Sequence, residues 1–389
     1  MHRAAPELPR VPPPAPADHP WRDAIVIVLF AVGVALPLVG AVLKRDMALT
    51  TFEKRPTAPW PSSSSMAGDK AGWAKRFEAA FADRFGGRDL LIAAHHFLLA
   101  AGLHVSPVAK VLMGRDGWLY FRGEDEQAID RDYRGLVPYP PEQPAQIARE
   151  LKHRRDLLHE RGIPYFVLVV PDKATMYPEH LPQWVKRAPV TRLDRLFAAL
   201  SAYPDLEAID ARALLAHAKS RGVQVYYRTD SHWNYGGATA VYDGLIERIR
   251  RAVPNATHAP AEDARYEPGD KYSGDLAQLL GLPRWFEEDD WFPFRKILGD
   301  SSRRCAGPVP AGSGTIVLGC ARAGLPRALV YRDSMFDAMI PPLSENFSRV
   351  VYFPGHRLTM ADIAREQPSV VIEEFVERTM HALLVDPAQ

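Results

Sequence analysis

The pattern of hydrophobic positions changes three times along this chain. An apolar run covers residues 24–43. It is followed by a helical period, because aromatic residues recur every four positions and share one helix face: Trp73, Phe77, Phe81 and Phe85. From about residue 144 onward, short apolar segments alternate with helical stretches. This alternation predicts an α/β domain with a mostly parallel sheet and helices on both faces.

The segment Tyr165–Val170 gives the strongest strand signal of this domain. It is apolar on both faces, as a parallel strand buried between two helical layers should be. Further short strands are predicted at 206–210, 223–227, 328–330, 350–353 and 370–372. The stretch 254–314 shows no regular period, and we interpret it as an insertion over one edge of the sheet.

The apolar run at 24–43 is twenty residues long, which is enough to cross a bilayer core of roughly 30 Å. A buried core helix is the alternative, but no polar residue interrupts the run. The run is also long for a signal peptide, and no small-x-small cleavage pattern follows it. The sequence therefore predicts a disordered cytoplasmic tail (1–23), a transmembrane helix (24–43), a linker (44–70) and one domain (71–389).

Composition narrows the function only slightly. The net charge is +1, so the charge balance gives no reason to expect a nucleic-acid partner. Two cysteines, Cys305 and Cys320, flank a loop rich in Gly and Pro. A disulfide between them and two unrelated thiols are both open, and their spacing matches no metal motif. We predict neither a metal nor a cofactor.

Two short peptides, 229–233 and 331–336, carry the candidate chemistry. Each follows a predicted strand and precedes a helix, and the carboxyl ends of parallel strands gather at one edge of a sheet. A serine hydroxyl needs an adjacent base, and that base needs an orienting carboxylate. The peptides therefore predict a triad with Ser334 as nucleophile, His232 as base and Asp230 as orienting acid. Taken singly, each residue could instead be a helix cap or a structural side chain.

Other polar and aromatic residues near the predicted strand ends are candidates for binding substrate. Each has a structural alternative, such as a helix cap for Asn234 or a strand end for Arg332. The substrate-binding candidates are Lys173, Tyr177, Asn234, Tyr235 and Arg332. Aromatic residues of the insertion could stack on sugars, although core packing is favoured: Trp285, Phe286, Trp291 and Phe292. After the last predicted strand, a buried Glu–Arg pair is favoured among Glu373, Glu374, Glu377 and Arg378.

The same peptides also identify a family. The chain resembles the SGNH hydrolase-like O-acetyltransferases of bacterial exopolysaccharide systems, the alginate acetylation family of AlgJ and AlgX. The specific features are Asp-x-His-Trp at 230–233 and, much later, Asp-Ser-x-Phe at 333–336, with the serine last in chain order. Further segments that resemble the family lie at 52–55, 81–85, 117–120, 171–178, 274–276 and 377–378. One departure is Arg332, which stands where many relatives have glycine.

The resemblance implies a flavodoxin-like SGNH domain in the periplasm, anchored in the inner membrane by one span. It implies that Asp230, His232 and Ser334 pass an acetyl group to hydroxyls of an exported polysaccharide. A membrane-bound O-acyltransferase partner would donate the acetyl group. The chain ends at Gln389 without a carbohydrate-binding module, which makes it more similar to AlgJ than to AlgX. A carbohydrate acetylesterase with the same triad, or a non-catalytic polysaccharide-binding assembly protein, remains an alternative.

Overall fold

The structure is a computed structural model that describes residues 20–43, 56–66, 68–86, 88–123, 133–136, 139–257, 271–289, 314–319 and 324–385. The chain divides into two compact units, residues 1–95 and 96–389. Residues 1–19 of the predicted tail, residues 44–55 of the predicted linker and both cysteines lie outside the described residues. The choice between a disulfide and two separate thiols therefore stays open.

The first unit is helical. Helix α1, Pro20–Leu43, includes the apolar run. A search of the described residues found no helix with the length and apolarity needed to cross a membrane. Helix α2, Lys70–Arg84, begins where the Asp69 side chain accepts a hydrogen bond from the Gly72 amide. Its aromatic side chains lie on one face with successive ring centroids 5.2 to 6.3 Å apart, as the four-residue period predicts. Helix α3 covers Arg88–Phe97.

The second unit is built on a parallel sheet with one antiparallel edge strand. Two small hairpins pair β1, Val111–Met113, with β2, Leu119–Phe121, and β5, Lys271–Tyr272, with β6, Glu288–Asp289. The strands of the main sheet are β3 Tyr165–Val170, β4 Glu207–Asp210, β7 Ile316–Gly319, β8 Arg327–Arg332, β9 Arg349–Pro354 and β10 Val370–Val376. Among the described residues, their order is β4-β3-β10-β8-β9-β7, and only β7 runs antiparallel to its neighbour. The predicted α/β fold with a mostly parallel sheet is confirmed.

Helices cover both faces of this sheet. They are α4 Gln143–His159, α5 Lys173–Met176, α6 Arg192–Leu200, α7 Ala211–Ser220, α8 Tyr235–Ala252, α10 Ile340–Ser344, α11 Met360–Glu366 and α12 Ala382–Val385. Helix α9, Asp275–Leu279, instead packs with β1 and β2 in a small separate core. Alternate residues of β3 enter two different cores. Phe166 and Leu168 pack with the core of α7 and α8, whereas Val167 and Val169 pack with that of α4 and α6. This two-sided burial explains the continuous apolar run of β3.

Two details of the predicted strands are wrong. The segment 223–227 is not a strand of the sheet, because it forms a single bridge, between Tyr226 and Trp233, and returns on itself. The pattern misled because Val225 and Tyr226 are fully buried without joining the ladder. Strand β10 is longer than predicted, so Glu373 and Glu374 lie inside it rather than after it.

Candidate active site

The two peptides meet at the carboxyl-end edge of the sheet. The Ser334 Oγ atom lies 2.8 Å from His232 Nε2, and His232 Nδ1 lies 2.6 Å from Asp230 Oδ1. A carboxylate only accepts hydrogen bonds, so we assign the imidazole proton to Nδ1. Nε2 is then the acceptor for the Ser334 hydroxyl proton. The structure thus brings the predicted nucleophile, base and orienting acid together in one hydrogen-bonded chain.

Ser334 begins a 3₁₀ turn, residues Ser334–Met339, directly after β8. Asp333 caps this turn, because its Oδ1 accepts from the Met335 amide at 2.8 Å. Its Oδ2 accepts from the Val376 amide at 2.9 Å and so ties the turn to the end of β10. Ser334 is exposed while Met335 is buried, so the turn presents the hydroxyl to solvent. Asp333 is therefore the residue that forms the turn carrying Ser334.

The Asp230 carboxylate is almost completely buried and is surrounded by donors. Oδ1 accepts from the His232 backbone amide at 2.9 Å as well as from its ring. Oδ2 accepts from the Tyr272 hydroxyl at 2.5 Å and from the Asp275 amide at 3.0 Å. Burial favours the neutral acid, but these hydrogen bonds and the charge of His232 outweigh it and hold the pKa of Asp230 below its usual range. The group is therefore ionised at neutral pH.

His232 is a stronger base than an ordinary histidine. Burial lowers its pKa, but the hydrogen bond and charge of Asp230 outweigh burial and raise it above the usual value of 6.5. Asp275 adds to the rise, since its Oδ2 lies 3.8 Å from His232 Nδ1. The Asp275 carboxylate itself accepts from the Ser231 amide at 2.7 Å and from the Ser231 hydroxyl at 2.6 Å. His232 must lose a proton before it can act as a base, so this environment shifts its working range upward.

Asp230, His232 and Asp275 are also the set that could hold a metal ion, because their ligand atoms lie within 4.8 Å of one another. Both Asp230 oxygens, however, already accept hydrogen bonds from protein groups. A metal would have to displace the bond between Asp230 and His232, so the donor set fits proton transfer better than metal binding.

Residues of the predicted insertion hold the loop that carries Asp230. Glu288 is buried and accepts from the Thr229 amide at 2.8 Å and from the Arg228 amide at 3.0 Å. Gly274 touches the same loop, since a Cβ atom built on it would lie 2.5 Å from Asp230 N. Sequence reasoning did not assign a role to Tyr272, Asp275 or Glu288. The only sequence signal for these residues was the segment 274–276, which supports the family resemblance but assigns no role to its residues.

Comparisons with known proteins agree with this architecture. A family profile described as ALGX, SGNH hydrolase-like domain, acetyltransferase AlgX, matches residues 111–302. The chain is 32% identical over 178 residues to a protein named probable alginate O-acetylase AlgJ from Pseudomonas fluorescens, covering 46% of this chain and 43% of the relative. It is 28% identical over 208 residues to the protein of the same name from Pseudomonas aeruginosa, covering 52% and 48%. Over the matched residues the chain is similar to AlgJ and AlgX. These matches span less than half the length of either relative.

Solved structures similar to this chain include two bacterial proteins. The O-acetyltransferase domain of Pseudomonas putida AlgJ is 23% identical, with a TM-score of 0.45, and the match covers 70% of this chain and 92% of that one. Bacillus cereus PatB1 is 16% identical, with a TM-score of 0.49 and coverages of 69% and 96%.

The other predicted site residues of the chain lie mostly inside the protein. Asn234 caps α8, since its Oδ1 accepts from the Gly237 amide at 3.0 Å and its Nδ2 donates to the Gln224 carbonyl at 2.7 Å. The capping alternative for Asn234 is therefore confirmed. Tyr235 is buried in the first turn of α8, and burial raises its pKa. Contacts of Asn234 and Tyr235 with substrate stay predictions.

Lys173, Tyr177 and Arg332 are also buried. The Tyr177 hydroxyl accepts from the Val225 amide at 2.8 Å, and a contact of Tyr177 with substrate stays a prediction. The Arg332 guanidinium donates to the Asp333 carbonyl at 3.1 Å and pairs with Asp337, which places it against the 3₁₀ turn of the nucleophile. The ammonium of Lys173 donates to the Asp230 carbonyl at 2.6 Å. Asp230 belongs to the loop of residues 227–230, which we call the catalytic loop because it carries the predicted orienting acid.

The acidic and aromatic candidates take structural positions where they are described. Glu373 forms a buried ion pair with Arg154, with Oε1 and Nη1 2.6 Å apart, whereas Arg378 pairs with Asp172. A buried Glu–Arg pair is therefore present, but the prediction that Arg378 supplies its arginine is wrong. The core packing favoured for Trp285 is wrong, because Trp285 is 56% exposed and lies edge-on to Phe97, with ring centroids 4.5 Å apart. Phe286 does pack against a small core, that of β1, β2 and α9. Trp291 and Phe292 lie outside the described residues.

Proposed function

We propose that this protein is an O-acetyltransferase that passes an acetyl group through Ser334 to hydroxyls of an exported bacterial polysaccharide. The observation that carries the proposal is the continuous hydrogen-bonded chain from the exposed Ser334 hydroxyl through His232 to Asp230. The relatives named probable alginate O-acetylase support acetyl as the transferred group and a polysaccharide such as alginate as the acceptor.

In the proposed first half-reaction, His232 Nε2 takes the Ser334 proton while Oγ attacks the acetyl carbonyl. Asp230 stabilises the imidazolium, which then returns the proton to the leaving group and leaves an acetyl-serine. In the second half-reaction a sugar hydroxyl attacks this ester, His232 takes its proton, and the proton is returned to Ser334. The backbone amide of Ser334 has no hydrogen-bond partner among the described residues and is proposed as an oxyanion donor.

The cellular location of the domain and the source of its acetyl group form a separate proposal. We propose a periplasmic domain anchored in the inner membrane through residues 24–43, with a membrane-bound O-acyltransferase as acetyl donor. The uninterrupted apolar run and the family resemblance support it. Alkaline-phosphatase fusions placed after residue 60 should be active if the domain is exported, and the chain should resist carbonate extraction. An inactive fusion with an active β-galactosidase fusion at the same site would contradict the proposal.

The first prediction tests the nucleophile. Ser334→Ala should lower acetyl transfer from an activated acetyl ester to oligosaccharides by at least about a thousand-fold, because the covalent route is lost. Mass spectrometry should find the acetylated peptide of Ser334 in the parent protein alone. Ser348→Ala is the matched control, since the Ser348 hydroxyl donates only to the Pro326 carbonyl. Full transfer by a folded Ser334→Ala protein would exclude the mechanism.

A carbohydrate acetylesterase is the second candidate, because the exposure of Ser334 would also admit water to the acetyl-serine. The ratio of transfer to hydrolysis, measured with increasing oligosaccharide, separates the two activities. A non-catalytic binding protein would leave Ser334 unlabelled by a serine-reactive sulfonyl fluoride while retaining glycan binding.

A further inference from the structure

Lys173 lies beneath the catalytic loop with its side chain buried; the residue is 4% exposed. Its Nζ atom donates to the carbonyls of Tyr227 at 3.0 Å, Arg228 at 3.1 Å and Asp230 at 2.6 Å. An ammonium has three donors, and all three point at one short stretch of backbone. The third acceptor is the carbonyl of the residue that supplies the triad carboxylate.

This stretch cannot rely on the sheet for its position. Residues 223–227 lie outside the ladder, and the main-chain contacts of the loop come from separate places. The Leu119 amide donates to the Arg228 carbonyl at 2.8 Å, and the Ala277 amide donates to the Thr229 carbonyl at 3.2 Å. The contact made by Lys173 differs from these, because Lys173 belongs to the segment that follows β3 of the main sheet. It therefore links the loop to the sheet edge from which Ser334 also projects.

The surroundings of Lys173 act on its charge in two opposite directions. Burial lowers its pKa to about 7, against the opposing charges of Asp230, Glu288 and Asp275. The rings of Trp118 and Tyr120 face the ammonium, with centroids 5.7 and 5.3 Å from Nζ. The loop carbonyls accept all three hydrogen bonds of the ammonium, and the two rings lie beside it. The protein therefore encloses the Lys173 ammonium.

We propose that Lys173 is a positioning residue: its ammonium fixes the backbone of residues 227–230 and thereby sets the geometry of Asp230 and His232 against Ser334. The inference rests on the proposed acyl-transfer function. It replaces the substrate contact predicted for Lys173 from sequence. Lys173 touches none of the reacting atoms, so it acts through the loop, where a displacement of about 1 Å can cost on the order of a hundred-fold in rate.

The test compares Lys173→Met, which keeps the length of the side chain but removes all three donors, with the parent protein. We expect kcat for acetyl transfer to fall roughly a hundred-fold, while KM for the acetyl donor stays within about twofold. Labelling of Ser334 by a sulfonyl fluoride should slow in parallel. The downfield proton resonance of His232 Nδ1 should shift or broaden, which reports the Asp230–His232 geometry without any turnover.

Lys219→Met is the matched control. Lys219 Nζ also donates to a backbone carbonyl, that of Met176 at 2.7 Å, and lies over the Tyr177 ring. Lys219 contacts Met176, Tyr177 and Glu179 rather than residues 227–230, so kcat and the His232 resonance should stay unchanged. Lys173→Arg keeps the charge but cannot aim the same three donors, and its kcat should lie between those of the parent and Lys173→Met.

Several outcomes would overturn the inference. One is a folded Lys173→Met protein with parental kcat and an unchanged His232 resonance. Another is a raised KM with parental kcat, which would mean that Lys173 binds substrate. If Lys173→Met does not fold, parental kcat in Lys173→Arg overturns it. If the parent protein transfers no acetyl group, the proposed function fails, and the His232 resonance in the variants alone decides the role of Lys173.

Discussion

At the scale of single residues, the site separates the pKa values of its two key groups. Hydrogen bonds keep Asp230 ionised, and the negative charge thus held raises the pKa of His232. This suits a triad, because the acid must stay charged while the base exchanges a proton. It also has a cost, since a histidine with a raised pKa is protonated, and inactive as a base, over more of the acid range.

The pH dependence of the reaction follows from this arrangement. With His232 as the base, kcat/KM should rise with pH through a midpoint above the ordinary histidine value of about 6.5. Asp275→Asn removes one of the charges that favour the imidazolium, so the midpoint should move to lower pH. The measurement is the pH profile of kcat/KM, with Asp289→Asn, an exposed partner of Lys271, as control. A midpoint that stays in place or rises in Asp275→Asn would contradict the assignment.

At the scale of elements, the site depends on close contact between a short helix and a loop. Gly274 directly precedes α9, and a Cβ atom there would lie 2.5 Å from Asp230 N, Asp230 Cβ and Thr229 C. These atoms belong to or adjoin the backbone, so the loop would have to move. Gly274 has a φ of −73°, which suits any residue, so space alone requires glycine here.

Gly274→Ala should therefore lower kcat by about a hundred-fold or more while the protein still folds. Acetyl transfer and near-ultraviolet circular dichroism, measured on the same preparation, check both parts. Gly102→Ala provides the control, because its added methyl would meet only Leu98 Cδ1 at an ordinary 3.5 Å. Parental activity in Gly274→Ala would show that the loop tolerates displacement, and would weaken the role given to its position.

The elements also show what could be predicted from sequence. Strand β3 was predicted over its full length, because burial on both faces leaves a continuous apolar run. The segment 223–227 is also largely apolar but pairs with no strand of the sheet, and strand pairing depends on residues distant in sequence. The triad was predictable because two compact peptides carry it. Tyr272, Asp275 and Glu288 were not, since each reaches the loop across 42 to 60 residues of chain.

At the scale of the whole molecule, a buried ion pair joins distant parts of the second unit. Arg154 of α4 donates to Glu373 of β10 and, at 2.7 Å, to the His356 carbonyl after β9. The Tyr165 hydroxyl of β3 donates to the other oxygen of Glu373. Arg154 and Glu373 are both fully buried, and the Glu373 charge depends on Arg154, whereas Arg154 also pairs with Glu150 at 2.8 Å.

Removing one partner should therefore destabilise the fold far more than removing both. Arg154→Met leaves an uncompensated carboxylate and should lower the free energy of unfolding by about 3–5 kcal/mol. Arg154→Met with Glu373→Gln should recover much of that loss, because no buried charge remains. Urea unfolding at neutral pH measures both. Arg155→Met, at the neighbouring position, is the control. The Arg155 guanidinium is partly exposed and pairs with Asp156, so the free energy of unfolding should change by less than about 1 kcal/mol.

The same pair predicts how stability depends on pH. Burial opposes the charge of Glu373, but Arg154 and the hydrogen bonds from His356 and Tyr165 outweigh it and lower the pKa of Glu373 below 4.5. A carboxyl with a lowered pKa in the folded state stabilises the protein above its unfolded pKa, and this stabilisation is lost as pH falls through the folded value. The parent should therefore lose stability below about pH 4.5 more steeply than the double variant, which has no acid at this position. Equal acid slopes for the two proteins would mean that Glu373 is already neutral in the fold, and Arg154→Met should then cost little as well.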